Sequence, residues 1–208
     1  MRKGFVLLLM VVLSTSSLVY GGTYEADVKT HRSQGPVKVV EGATAQLIST
    51  EAGIAGSFTT KDLTPGHVCT LWVAIMNNPE ACEKAPENCT SQDVLKRTEA
   101  VNSDVTYGDG VVVAADGTAT FRTFIPAGMI ENSWLGNGLP NPTGAEIHFA
   151  IHDHGPVIPD KIQDMLSTTR EGCTDESLPK LWPDTARASG KPGPNECRMV
   201  QFAIFQQN

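Results

Sequence analysis

The chain has 208 residues, with 23 acidic against 16 basic side chains, a formal charge of −7 and a hydrophobic fraction of 40%. An acidic surface of this kind makes nucleic acid a poor partner. The length left after any leader suits a single domain with a substantial core.

The N-terminus runs Met1-Arg2-Lys3-Gly4, then apolar from Phe5 to Leu13, then small and polar through Ser14-Thr15-Ser16-Ser17 toward Gly21-Gly22. A charged start, a short apolar run and small residues predict a secretory signal over 1–21, removed after Gly21. The apolar run is shorter than the roughly 18 to 20 residues of a spanning helix, so no transmembrane anchor is expected in the mature chain. Cleavage removes Arg2 and Lys3 and no acid, leaving 14 basic against 23 acidic residues and a charge of −9. Residues 22–36 are expected to form a flexible N-terminal segment, and 37–208 a single β-sandwich domain.

From 37 to 125 the pattern is β almost throughout, with candidate strands at 37–40, 45–49, 57–60, 68–76, 105–107, 110–115 and 118–125. Asp116-Gly117 between apolar and alternating runs predicts a tight hairpin, because such turns need residues that tolerate positive φ. Residues 126–145 are rich in Gly, Asn and Pro yet hold Met129, Ile130, Trp134 and Leu135. They read as a loop packed by its own apolar residues, or else as the lip of a binding cleft. Two more strands follow at 146–152 and 199–205. Between them, Ile158, Ile162, Met165 and Leu166 fall at helical spacing behind Pro159, which suits a first turn. The fold class expected is all-β: an antiparallel immunoglobulin-like β-sandwich with one short helix and long disulfide-tied loops. A closed barrel is the alternative.

Five cysteines in a secreted chain imply two disulfides and one thiol left over. Cys82 and Cys89 lie close together in a loop, and Cys173 and Cys197 bracket a long polar segment. That placement favours pairing them so, although spacing alone leaves the connectivity open. Cys69, inside the apolar run 68–76, is then a buried, inert thiol.

Chemistry concentrates in Glu146-Ile147-His148-Phe149-Ala150-Ile151-His152-Asp153-His154. On a strand, Ile147, Phe149 and Ile151 share one face, and Glu146, His148, Ala150, His152 and His154 share the other. Residues two apart are separated by about 6 to 7 Å, so His152 and His154 could converge on one copper or zinc ion. His148 or Glu146 could join them, as could His67, the only other histidine of the β region. The bland reading is a solvated histidine face with structural roles. Clustered imidazoles would also ionise near pH 6.5, which predicts weaker stability or altered partner binding below that pH. No nucleophile elbow, His-Glu-x-x-His pair, Walker loop or dinucleotide glycine pattern is present, and no catalytic residue is assigned.

Leu63-Thr64-Pro65-Gly66-His67, Thr70-Leu71-Trp72, Asn77-Asn78-Pro79-Glu80-Ala81-Cys82, Gly144-Ala145-Glu146-Ile147-His148 and His154-Gly155-Pro156 carry a resemblance. The chain resembles, over roughly residues 60–205, a group of secreted, mostly bacterial proteins of unassigned function. That resemblance implies a sandwich and secretion, and no activity. The His-Asp-His strand end is also distantly similar to chordin-type domains and to Cu/Zn superoxide dismutase. The dismutase's paired metals need six histidines and an aspartate, and the five histidines here cannot assemble that site. The function expected is therefore a secreted extracellular or envelope binding module for an unidentified protein or glycan. The alternative is a mononuclear copper or zinc protein able to act in redox chemistry.

Overall fold

The computed structural model describes residues 21–207, so the signal expected over 1–21 lies, apart from Gly21, outside the described residues. Among the described residues, nine strands form two antiparallel sheets. The four-stranded sheet has the order β1 (Thr23–Ala26), β3 (Thr44–Thr50), β4 (Gly53–Thr60), β7 (Ala119–Pro126). The five-stranded sheet runs β2 (Lys29–Thr30), β9 (Arg198–Phe205), β8 (Glu146–Pro156), β5 (His67–Met76), β6 (Ser103–Val112).

The sheets meet over one apolar core. Leu47, Ile54, Phe58, Phe121 and Ile125 from the first sheet pack on Leu71, Val73, Ile75, Ile147, Phe149, Ile151 and Phe205 from the second. Period-two alternation explains which residues enter: β3 is exposed and buried at successive positions along its whole length, as a half-buried strand requires. The approach is close where side chains are smallest. A Cβ on Gly56 would collide with the Phe149 ring, so glycine there lets the sheets approach and the ring lie across the strand.

Several expectations need correction. Residues 22–36 are not a flexible segment: β1 pairs with β3 and β2 pairs with β9, so this stretch supplies an edge strand to each sheet. These strands are four and two residues long, too short to show a period, and only pairing reveals them. Residues 37–40 form no strand beyond an isolated bridge from Val39 to Lys29. The runs 105–107 and 110–112 merge into β6, which a bulge opposite Leu71/Trp72 accommodates, and the expected strand stops at Val112, so 113–115 lead into the turn.

The Asp116-Gly117 turn forms, but not as a two-strand hairpin. β6 pairs with β5 and β7 with β4, so the turn carries the chain from one sheet to the other. Asp116 Oδ1 accepts from the Thr118 amide and hydroxyl, and Gly117 takes φ 79°, a conformation glycine adopts without steric cost. Local turn chemistry was therefore read correctly while its partners were not, because pairing is decided by which faces can be buried.

Four short helices occur where one was expected. α1 (Ser91–Lys96) starts with a capping box between Thr90 and Asp93, which satisfies two orphan amides at once. α2 (Thr98–Val101) follows it, and α4 (Asp184–Ala188) lies in the late loop. The helix expected near 158–166 is a 3₁₀ turn, Pro159–Lys161, running into α3 (Ile162–Met165). Both expected disulfides are present, Cys82–Cys89 and Cys173–Cys197, and Cys69 is a buried free thiol. Burial pushes the Cys69 thiol up, with Asp153 adding to the shift, so it stays protonated and inert.

The long loops form a third layer over the outer face of the five-stranded sheet. Trp72, Met76 and Val105 of that face are buried against Val94, Val101, Trp134, Ala186 and the Cys82–Cys89 bridge. The loop 127–145 is thus a packed loop. Asp104 fixes it by accepting from the amides of Leu135 and Gly138.

Candidate functional site

Strand β8 alternates as expected through Ile151, with Ile147, Phe149 and Ile151 in the core between the sheets. Its other face points away from that core but not into solvent. From Ile151 to Gly155 every residue is buried, because the late loop closes over the sheet.

The five residues proposed as metal ligands fall into three groups. At one end, His148 Nε2 lies 2.6 Å from Glu146 Oε1, and Glu146 also accepts from the Cys89 amide and from Gln206 Nε2. This pair is satisfied within itself and ties the Cys82–Cys89 loop to the sheet. At the opposite end, His67 Nδ1 sits 2.9 Å from Asp153 Oδ1. A bulge between His67 and Cys69 sets that contact, and the Gly155 amide donates to the same carboxylate. His67 therefore does not reach the other imidazoles.

His152 and His154 do come together, with ring centroids 4.5 Å apart. His154 is fully partnered. Its Nδ1–H donates to the Glu171 carbonyl at 3.0 Å, and its Nε2 lies 2.9 Å from the Thr70 hydroxyl. That hydroxyl already accepts from Trp72 Nε1–H, so its own proton goes to His154 Nε2, and the ring is the neutral Nδ1–H tautomer. Burial lowers the His154 pKa to about 4, against the opposing pull of the Glu171 carbonyl and of Asp153 and Glu171.

His152 is different. It is fully buried, and neither ring nitrogen has a hydrogen-bond partner. Burial holds its pKa well below the ordinary imidazole value, and the neighbouring His154 lowers it further. A neutral imidazole has one donor and one acceptor, and leaving such a group unsatisfied in the interior costs about 1–3 kcal/mol. An orphan of this kind calls for a physical explanation, and a bound ion or water is among the usual ones.

The surroundings of His152 are soft and apolar. Its ring stands 5.1 Å from that of Trp182 at 77°, and Trp182 continues through Trp134 to Trp72. The Sγ atoms of Cys173 and Cys197 and a ring nitrogen of His152 all lie within 4.8 Å of one another. The sequence identified both cysteines as a loop tie and His152 as a ligand, but not their meeting. At least 21 residues separate them, and no periodicity spans such a gap.

A separate concavity of about 510 Å³ lies beside the Glu146 end. Glu80, Glu87, Glu146, Gln206 and Gln207 line it together with Pro79 and Pro86, and among the described residues no basic side chain does. The Cys82–Cys89 bridge closes the loop that carries Glu87 and stands two residues beyond Glu80. Sequence reasoning missed this cleft because Glu80 and Glu87 come from an irregular loop and meet Glu146 only in three dimensions.

Compared with family models, with curated proteins and with solved structures, the chain finds no match.

Proposed function

We propose that the protein is an extracytoplasmic binding module, and that the acidic cleft receives a positively charged segment of an extracellular protein. The observation that carries this reading is the cleft itself. Its volume lies within the roughly 300–1,000 Å³ of ordinary ligand sites, and of its three carboxylates Glu146 is held by His148 while Glu80 and Glu87 meet no cation in the lining. Concave, low-dielectric walls of one sign concentrate field and select the opposite charge. The placement outside the cytoplasm rests on the predicted signal and on two disulfides, which persist in oxidising compartments. Among the described residues no helix is long and apolar enough to cross a membrane. Nine strands in two antiparallel sheets support an immunoglobulin-like module in the broad sense, although both disulfides here tie loops rather than bridge the sheets.

The test is calorimetric titration with a tetra-arginine peptide and its tetra-citrulline analogue. Saturable binding of the first alone, weakened at least tenfold by Glu80→Gln with Glu87→Gln, is the expected result. Equal binding of the neutral analogue, or indifference to the double substitution, overturns the reading.

A second reading, a mononuclear copper or zinc protein, is favoured by one observation. His152 is sealed inside with two unpartnered nitrogens, a poor arrangement for a structural histidine and a good one for a ligand. The originally expected partners do not join it: His148 is held by Glu146 and His67 by Asp153.

A further inference from the structure

Trp182, His154 and the Cys173–Cys197 bridge enclose His152 on the covered side of β8. Of these neighbours only the two sulfurs offer the ring a metal-binding partner, because both nitrogens of His154 are already committed. Oxidised, the sulfurs are a disulfide and cannot act as thiolate ligands. Reduced, they would present two thiolates beside one neutral imidazole, a donor set that selects soft or borderline cations.

We propose that the Cys173–Cys197 disulfide is the closed form of a redox-gated metal site, in which His152, Cys173 and Cys197 bind one thiophilic d¹⁰ cation, Cu⁺ or Zn²⁺, after reduction. This rests on the metal reading given above and supplies its ligand set.

The chemistry balances with a dithiol as reductant. One thiolate of the dithiol attacks a sulfur of the bridge, the S–S bond breaks, and the displaced cysteine leaves as a thiolate that takes a proton. The second thiol of the reductant then resolves the mixed disulfide. Two electrons pass to the protein, which gains two thiols, and the dithiol becomes a disulfide. Metal binding then releases up to two protons as the thiols become ligands. His152 offers ring nitrogens that no hydrogen bond occupies, and a free imidazole nitrogen is what a cation requires.

The fold favours such a gate at this bridge rather than at the other. Cys173 forms a β-bridge with Asn195, and the Thr174 amide donates to the Asn195 carbonyl two residues before Cys197, so the backbone keeps both sulfurs beside the imidazole that β8 holds once the S–S bond opens. Cys82 and Cys89 have no histidine placed with them in a comparable cluster among the described residues.

The experiment uses the full mature chain without a histidine tag, compared in air-oxidised form and after dithiothreitol treatment and anaerobic desalting. Zn²⁺ is titrated against a chromogenic chelator and Cu⁺ against bicinchoninate, in native protein and in a Cys82→Ser/Cys89→Ser background that leaves one bridge. The expected result is no binding when oxidised and one equivalent when reduced, with affinity at least tenfold weaker in His152→Gln and unchanged in His148→Gln. The two titrations identify the preferred ion. If the serine background does not fold, the same His152→Gln and His148→Gln contrast in the reduced native chain decides. One equivalent bound by the oxidised protein through His152 keeps the metal reading and overturns the redox gate. No binding in either state overturns both, and reduced-state binding indifferent to His152→Gln overturns the ligand set.

Discussion

The outer faces of the two sheets share one chain and one alternation rule, and they end in opposite environments. On the four-stranded sheet, cross-strand rows run Ile48, Ala55, Phe124, then Gln46, Ser57, Arg122, then Thr44, Thr59, Thr120. This face is bare: Phe124 is 62% exposed and Ile48 50% exposed. On the five-stranded sheet the corresponding face carries Thr70, Trp72, Met76 and His152, and all of them are buried under the loop layer. Strand alternation therefore tells which residues leave the central core. It does not tell whether they reach water.

The sharpest way to break this comparison is a matched pair of aromatic truncations. Trp72→Ala should cost about 3–5 kcal/mol, the range for large core deletions, since its ring packs on Tyr107 and Trp134. Urea unfolding measures it, and a loss below ~1 kcal/mol would mean that the loop layer does not pack as described.

Next in size is the tie that holds the layer down. Cys173→Ala with Cys197→Ala should remove ~3 kcal/mol in the chain-entropy picture for a span of 24 residues, with hydrogen exchange accelerating over 158–197 and not over the bare sheet. Uniform acceleration would show that the two faces are not independent.

Acid should act on the covered face at a similar scale. The folded-state pKa of His152 and of His154 lies below the unfolded value, so their contribution is complete above pH ~6.5. It is lost as pH falls, because the unfolded chain takes up protons first. For His154, lowered to about 4, the loss approaches ~3 kcal/mol by pH 4. Unfolding midpoints that stay flat between pH 7 and pH 5 would contradict this. The sequence also placed a change below pH 6.5, but through repulsion among exposed imidazoles. Here burial is the larger cause.

Smaller, and opposite in sign, is the effect of His152→Phe. Replacing an unsatisfied buried ring by an apolar one of similar shape should raise stability by ~1–2 kcal/mol in the oxidised, metal-free protein. A decrease would reveal a partner for the ring nitrogens. Smallest is Phe124→Ala on the bare face, expected within ~0.5 kcal/mol of native, and a larger loss would mean that something covers it.

Much of the fold was legible. Strands β3, β5, β7, β8 and β9 were readable from alternation and flanking turn residues, while for the two disulfides the sequence favoured the observed pairing without fixing it. The strands of 22–36 were not, because four-residue and two-residue strands fall below the length at which a period can be seen. The candidate site was half legible. His152 and His154 were identified as neighbours on one face, and they are. Glu146 and His148 belonged on that face as well, but a 2.6 Å contact between them consumes the ligand atoms they might have offered.

The order of residues alone dictated the alternating pattern of the strands, the residues able to turn between them, and the side of β8 on which its imidazoles stand. These follow from local sterics and the two-residue period, which act over a few residues. It took the packed fold to make Asp116-Gly117 join two sheets, to pair His67 with Asp153, and to bring Trp182 and the Cys173–Cys197 bridge down upon His152. Those outcomes depend on contacts between residues tens of positions apart, selected by how much apolar surface each arrangement removes from water. No local rule carries that information.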